Sequence, residues 1–283
     1  MNSTDFIDKS YDVALSSQYD LSILLGMDRF FYAINNSDRK VLLIKKLDIP
    51  KEQDRINRVK SLLLSDEAFQ KSFAHTNVCY SSSFFTLIPS PLLDPKETRT
   101  YLEKVCNLPD SCLAFKSAEN PHGMSNVYGI NDDDFYLLNS FFPNAKHVHL
   151  TSVLLDAYRS HALNQIGERM YINIQSHEMC VYLFRNGELN FANFFKFKSS
   201  EDFLYYVMLC FEQQRLDQEQ TQLFLTGKLI KDSKVFQLLR RYVRNVKFLN
   251  SEVPLNTTSS QDCLLYTSPS PRDATLSRMP SSA

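Results

Sequence analysis

Apolar residues in this chain fall into short runs separated by polar turns. Leu21–Leu25 and Arg29–Ile34 flank Gly26-Met27-Asp28, the spacing of a tight β-hairpin. Asn35–Asp38 makes the next turn, and Lys40–Ile44 reads as a third strand. From Lys51 to Gln70 the period becomes helical, with Ile56, Val59, Leu62, Leu63 and Phe69 on one face. Val78–Ile88 contains a strand, read as Phe84–Ile88 and stopped by Pro89 and Pro91. Asp94 and Pro95 suit the N-cap and first position of a helix over Pro95–Cys106. Cys112–Phe115 then closes a β-β-β-α-β-α-β unit.

A bridging region follows. It holds a strand at Asn126–Ile130, a helix capped by Asn131 with Asp132, Asp133 and Asp134 in its first turn, a strand at His147–Leu150, and a helix from Thr151 to Gln165. After Gly167 the first pattern returns. Tyr171–Ile174 and Met179–Phe184 flank the turn Gln175–Glu178. Arg185-Asn186-Gly187-Glu188 is a two-residue hairpin signal, and Leu189–Phe197 the third strand. Ser199 or Ser200 caps a helix to Leu216, Gln222–Thr226 is the fourth strand, Ser233–Val243 a helix, and Val246–Leu249 the last strand. The order of elements is that of the first unit. It predicts residues 8–166 as one domain with a bridging helix and 167–250 as a second.

Composition refines this picture. The chain has 283 residues, 43% of them hydrophobic and 22% charged, with net charge -1, a balance typical of globular proteins. Nothing in it draws the chain toward nucleic acid or an anionic membrane, and no apolar run is long enough to span a bilayer. Cys79, Cys106, Cys112, Cys180 and Cys210 form no Cys-x-x-Cys pair and fit free thiols in a reducing cytoplasm. The six glycines are roughly a third of the usual frequency. Loops that cradle phosphate need glycine for close backbone approach, and little is available here. Residues 263–273 and 277–283 match the in-frame translation of a sequencing adapter. Residues 262–283 are therefore read as an artefact and 251–261 as a truncated native end.

The stretch Tyr19–Leu25, the Tyr171–Phe197 meander and the Leu223–Gly227 strand resemble a bacterial family of unknown function, number 3822, with an actin-like ATPase fold. The resemblance covers most of residues 8–250. It implies an α/β protein of two related actin-like (ribonuclease H-like) domains facing a cleft, and it implies no activity. Active relatives of that fold carry an Asp-x-Gly loop at each domain's first hairpin and a Gly-Gly turn beside the adenosine. Here the first hairpin has Gly26 and Asp28 in reverse order. The second has Ser176, His177 and a repelling Glu178 without glycine. The adenosine turn, Thr226-Gly227-Lys228, holds half the pair.

Gly26, Asp28, Ser176, His177, Thr226 and Gly227 are thus the candidate ligand-binding residues, with no catalytic or metal residue assigned. The bland reading of Ser176 and His177 is a polar hairpin tip. His147 and His149 share a strand face but need a third ligand, such as His161, to hold a metal. Asp132–Asp134 complement a helix dipole. Lys228, Lys231, Lys234, Arg240, Arg241, Arg244 and Lys247 make a basic stretch that reads as a solvated face, because no stacking aromatics interleave it. Phe191, Phe195 and Phe197 line one strand face, buried or else open to another chain. The expectation is a non-catalytic scaffold with a protein partner, no nucleic acid and no cofactor. The alternative is a diverged nucleotide- or sugar-phosphate-binding enzyme that uses ATP and magnesium.

Overall fold

The computed structural model describes residues 6–26, 29–49, 55–119, 123–175, 177–227 and 234–249. The chain divides into two compact units between Leu154 and Leu155. In the first, β1 (Phe6–Ile7), β2 (Asp20–Leu25), β3 (Arg29–Asn35) and β4 (Val41–Asp48) precede α1 (Arg55–Ser65), β5 (His75–Tyr80) and β6 (Phe85–Pro89). Then come α2 (Thr98–Glu103), β7 (Cys112–Glu119), β8 (Met124–Asn131), α3 (Asp132–Phe141) and β9 (Lys146–His149). A six-stranded sheet runs β1-β4-β3-β2-β5-β9, with β2, β5 and β9 parallel. Val59 and Leu63 of α1 and Leu138 of α3 pack with Leu21, Ile23, Leu25, Phe30, Tyr32 and Val78 in its core.

Helix α4 (Leu150–Ala162) carries the chain into the second unit. There β10 (Glu168–Gln175), β11 (Glu178–Arg185), β12 (Glu188–Lys196), α5 (Ser200–Gln213), β13 (Gln222–Gly227), α6 (Lys234–Leu239) and β14 (Asn245–Phe248) form a five-stranded sheet ordered β12-β11-β10-β13-β14. Beyond the short β1, both sheets therefore share one strand order: third, second, first, fourth, fifth. One face of the second sheet, with Met170, Ile172, Val181 and Leu225, packs on Phe203, Val207 and Phe211 of α5 and Leu239 of α6. The other face meets α4 in an aromatic stack. Tyr158 lies 4.6 Å from Tyr171, which lies 5.1 Å from Phe224.

The hairpins fall where the turn residues placed them. Asn186 (φ 50°) and Gly187 (φ 83°) make the left-handed pair a two-residue hairpin needs. The Ser199 hydroxyl accepts from the Asp202 N–H at 3.1 Å and caps α5.

The first unit departs from expectation at three places. Its fourth strand is His75–Tyr80, not Phe84–Ile88. The latter joins β7 and β8 in a separate three-stranded antiparallel sheet inserted after β5. The strand begins with polar His75, Thr76 and Asn77, which hid it beside the more apolar run. The unit keeps the expected β-β-β-α-β-α-β plan with different members: β2, β3, β4, α1, β5, α3 and β9. The long helix over 51–70 ends at Ser65, because Asp66 leaves the helical region. Its carboxylate accepts from the Tyr32 hydroxyl (2.5 Å), the Lys45 ammonium (2.8 Å) and the Ala68 N–H (3.1 Å). Asp94 does not cap a helix at Pro95. It accepts from the Lys96 N–H at 2.9 Å in a turn, and the helix starts at Thr98.

Candidate functional site

The first candidate lies at the β2–β3 hairpin. The Gly26 N–H donates to the Arg29 carbonyl at 2.9 Å and closes the turn. Met27 and Asp28 lie outside the described residues. The Gly26 carbonyl accepts from Nη2 of Arg55, at the start of α1, at 3.0 Å. Nη1 of the same guanidinium donates to the Asp134 carboxylate at 2.5 Å, and its buried Nε has no partner. Asn131 Oδ1 accepts from the Asp134 N–H at 3.3 Å, so α3 is capped as expected. Asp134 differs from its two acidic neighbours in being buried and ion-paired. Burial pushes its carboxyl above the ordinary value, against the pull of Arg55. One guanidinium thus links the hairpin turn, the start of α1 and the start of α3. Arg55 escaped the sequence reading because it looked like one more polar position of an amphipathic helix.

In the second unit the candidates separate. Thr226 and Gly227 end β13 beside β10. The Thr226 hydroxyl is bonded to the Tyr158 hydroxyl (2.5 Å) and to Asn173 Nδ2 (3.0 Å), and Gln175 Nε2 donates to Asn173 Oδ1 at 2.9 Å. Burial raises the Tyr158 hydroxyl far above its ordinary pKa, so it stays neutral. Gly227 has φ +89°, and a Cβ there would lie 2.1 Å from the Ile174 carbonyl oxygen. Contact between two parallel strand ends therefore requires this glycine without any ligand. His177 is exposed at the β10–β11 turn. Its carbonyl accepts from the Phe197 N–H at 2.9 Å, and its ring meets Phe197 edge-on. Ser176 lies outside the described residues. Asn173 and Tyr158 were missed because neither belongs to a recognisable motif.

The two strand histidines enter an aromatic cluster. His147 Nδ1 is bonded to the Tyr80 hydroxyl at 2.9 Å. His149 is fully buried and stacks on Tyr128 at 5.1 Å. Its Nδ1 accepts from the Thr151 N–H at 3.2 Å, while Nε2 lies 3.2 Å from both the Ser82 hydroxyl and the Ser82 carbonyl. Burial lowers its pKa to about 4, so the ring is neutral. His161, the suggested third ligand, belongs to the other unit, with its Nδ1 on the Tyr171 hydroxyl at 2.7 Å. No cluster of three or more His, Cys, Asp or Glu able to hold a metal occurs among the described residues. In the basic stretch, Lys234 pairs with Glu201 and Arg244 with Glu219, at 2.5 and 2.8 Å. Lys228 and Lys231 lie outside the described residues.

Two sheets of one strand order, each with its first hairpin beside a parallel fourth strand, define the actin-like ATPase fold. A solved protein of Bacteroides thetaiotaomicron VPI-5482, with that fold and unknown function, matches 90% of this chain and 98% of its own, at TM-score 0.80 and 23% identity. A chain of the PilM–PilN type IV pilus biogenesis complex matches 82% of this chain and 88% of its own, at TM-score 0.53 and 14% identity. No curated protein matches. The family model for proteins of unknown function, DUF3822, matches residues 8–246, and the chain belongs to that family. No helix among the described residues is long and apolar enough to cross a membrane.

Three outcomes follow from this geometry. Gly227→Ala is expected to destabilise by more than about 3 kcal/mol, from strain plus backbone overlap. Gly167→Ala, at similar φ (+91°) but with nothing within 4 Å, is expected to cost about 1 kcal/mol. Urea unfolding of the pair separates the two causes. Arg55→Met leaves the Asp134 carboxyl without its cation and is expected to cost about 1–3 kcal/mol, most of it regained in Arg55→Met/Asp134→Asn. For His149 the folded pKa lies below the unfolded one, so its stabilisation is complete above pH 6.5 and is lost as pH falls toward 4. The loss approaches about 3 kcal/mol. His149→Gln is expected to flatten that part of the stability–pH curve, read by denaturant midpoints at each pH.

Proposed function

We propose that this protein is a non-catalytic scaffold or assembly component built on the actin-like fold, with another protein as its partner. One observation carries the reading. Among the described candidate residues, the Gly26 carbonyl and the Thr226 hydroxyl are already engaged within their own units. The Gly26 carbonyl is held by Arg55, and Arg55 by Asp134. The Thr226 hydroxyl is held by Tyr158 and Asn173, and Gly227 is explained by its distance to Ile174. A nucleotide with magnesium needs free backbone donors and an uncommitted carboxylate, and the Gly26 carbonyl and the Thr226 hydroxyl are neither. The component of a pilus biogenesis complex that shares this fold is a precedent for an actin-like body within an assembly. At 14% identity the likeness is one of fold alone.

Thermal unfolding with and without magnesium-ATP, ADP, GTP and a sugar phosphate tests the reading. No shift of the midpoint is expected. A ligand held at a hundred times its dissociation constant adds about 2.7 kcal/mol, a rise of several degrees. Such a rise would overturn the scaffold reading and favour a diverged nucleotide- or sugar-phosphate-binding enzyme.

A further inference from the structure

We infer that the loop between α4 and β10 docks a partner protein, with Leu163 and Ile166 entering an apolar pocket of that partner; this rests on the scaffold reading and names the surface it needs. Among the described residues Ile166 is the most exposed large apolar side chain, at 90%, and Leu163 is 47% exposed. Three residues apart, their Cα atoms lie within about 11 Å of each other. The fold asks for neither side chain. The buried face of α4 ends at Ala162, and turns favour glycine, proline, asparagine and aspartate. A lone exposed aliphatic is ordinary, but two within four residues of one turn form a patch.

The loop holds both residues in place. The Leu163 N–H donates to the Arg159 carbonyl at 2.8 Å and continues α4. The Gln165 N–H closes a turn on the Ala162 carbonyl at 3.1 Å, with Leu163 and Asn164 (φ 60°) at its corner. The Gly167 N–H donates to Asn186 Oδ1 at 2.9 Å, and the Gly167 carbonyl accepts from the Asn186 N–H at 3.0 Å. The buried Arg169 commits both Nη groups to the loop. Nη1 donates to the Ile166 carbonyl and Nη2 to Gln165 Oε1, each at 2.9 Å. Backbone tied in this way has little freedom left to lose on binding, so contacts made by its side chains are retained as affinity.

Shape and charge select the partner. A turn that projects two side chains is convex, so its complement is a pocket. Asn164, Gln165 and Gly167 carry no charge, and Arg185 at the adjacent hairpin is ion-paired with Glu168 at 3.0 Å. Arg159 on α4 and Glu188 on the hairpin offset each other in sign. Such a surface has no cationic excess to hold nucleic acid or anionic lipid. Two aliphatic side chains also bury less than a single acyl chain, which itself binds a bilayer only marginally. A second copy would set convex against convex, over far less area than a stable dimer buries. An apolar pocket with an uncharged rim on another protein matches the loop in both respects. The loop precedes β10, whose far end carries Ile174 beside Gly227, so docking leaves the candidate ligand residues untouched.

The full chain carrying the photo-cross-linker benzoylphenylalanine at position 163, at 166 or, as a control, at 205 is irradiated in extract of the source cells. Tyr205 is 62% exposed on α5 of the same unit. One adduct of common mass is expected from 163 and 166, and none from 205. Excess native chain is expected to compete the adduct away, and Leu163→Ser/Ile166→Ser to compete at least about tenfold less well. That variant removes only exposed groups, so its melting is expected to match the native chain and misfolding does not explain the loss. No adduct, an adduct equally strong from 205, or undiminished competition by the double variant overturns the docking loop and leaves the scaffold reading standing. An adduct of twice 32.8 kDa is a second copy and overturns it too. So does cosedimentation of the native chain, but not the double variant, with phosphatidylcholine vesicles or with vesicles containing phosphatidylglycerol. A nucleotide-dependent melting shift strikes the scaffold reading and leaves these cross-links unchanged, so the two failures are told apart.

Discussion

Parallel pairing of the first strand with the fourth governs both units. A parallel neighbour cannot be reached by a tight turn, so the chain must cross over and return, and the crossover covers a face of the sheet. The strands at the centre, β2 and β10, are then buried on both sides. In the second unit α5 and α6 take one face and α4 the other. A strand shut in on both faces has only its ends left for polar groups. At those ends lie the Gly26 turn, Thr226 and Gly227, and the structure links each of them to neighbouring chain.

That arrangement gives the glycines two different meanings. Gly227 sits where β13 and β10 run so close that any side chain would strike the Ile174 carbonyl. Gly26, by contrast, closes a turn, with its N–H on the Arg29 carbonyl. The polar residues are likewise drawn inward. Tyr158, Asn173 and Thr226 satisfy one another in a low-dielectric setting where an unpaired hydroxyl would be costly. Arg55 and Asp134 do the same at the first hairpin.

Much of the fold was legible because hairpins announce themselves locally. Asn186-Gly187 and the run of strands after Gly167 are short-range signals, and the order of elements from β10 to β14 was readable. The first unit was not, since β5 opens on polar residues and derives its burial from partners far away in sequence. The break at Asp66 was hidden for a related reason: its three donors come from β3, β4 and the following turn. At the candidate site, Gly26, His177, Thr226 and Gly227 could be named from turn positions. What they touch could not, because Arg55, Asp134, Tyr158 and Asn173 reach them only through tertiary packing.

The inserted sheet has a kinetic side. Strand β9 pairs with β5, yet the chain between Tyr80 and Lys146 must first traverse β6, α2, β7, β8 and α3. Closing so long a loop is entropically demanding, and the contacts that reward it come last. The second unit joins β10 to β13 through one hairpin pair and one helix. The two halves of a single strand order thus have different histories: the second unit can complete its sheet from nearby segments, while the outer strand of the first waits for an entire small sheet to assemble inside its crossover.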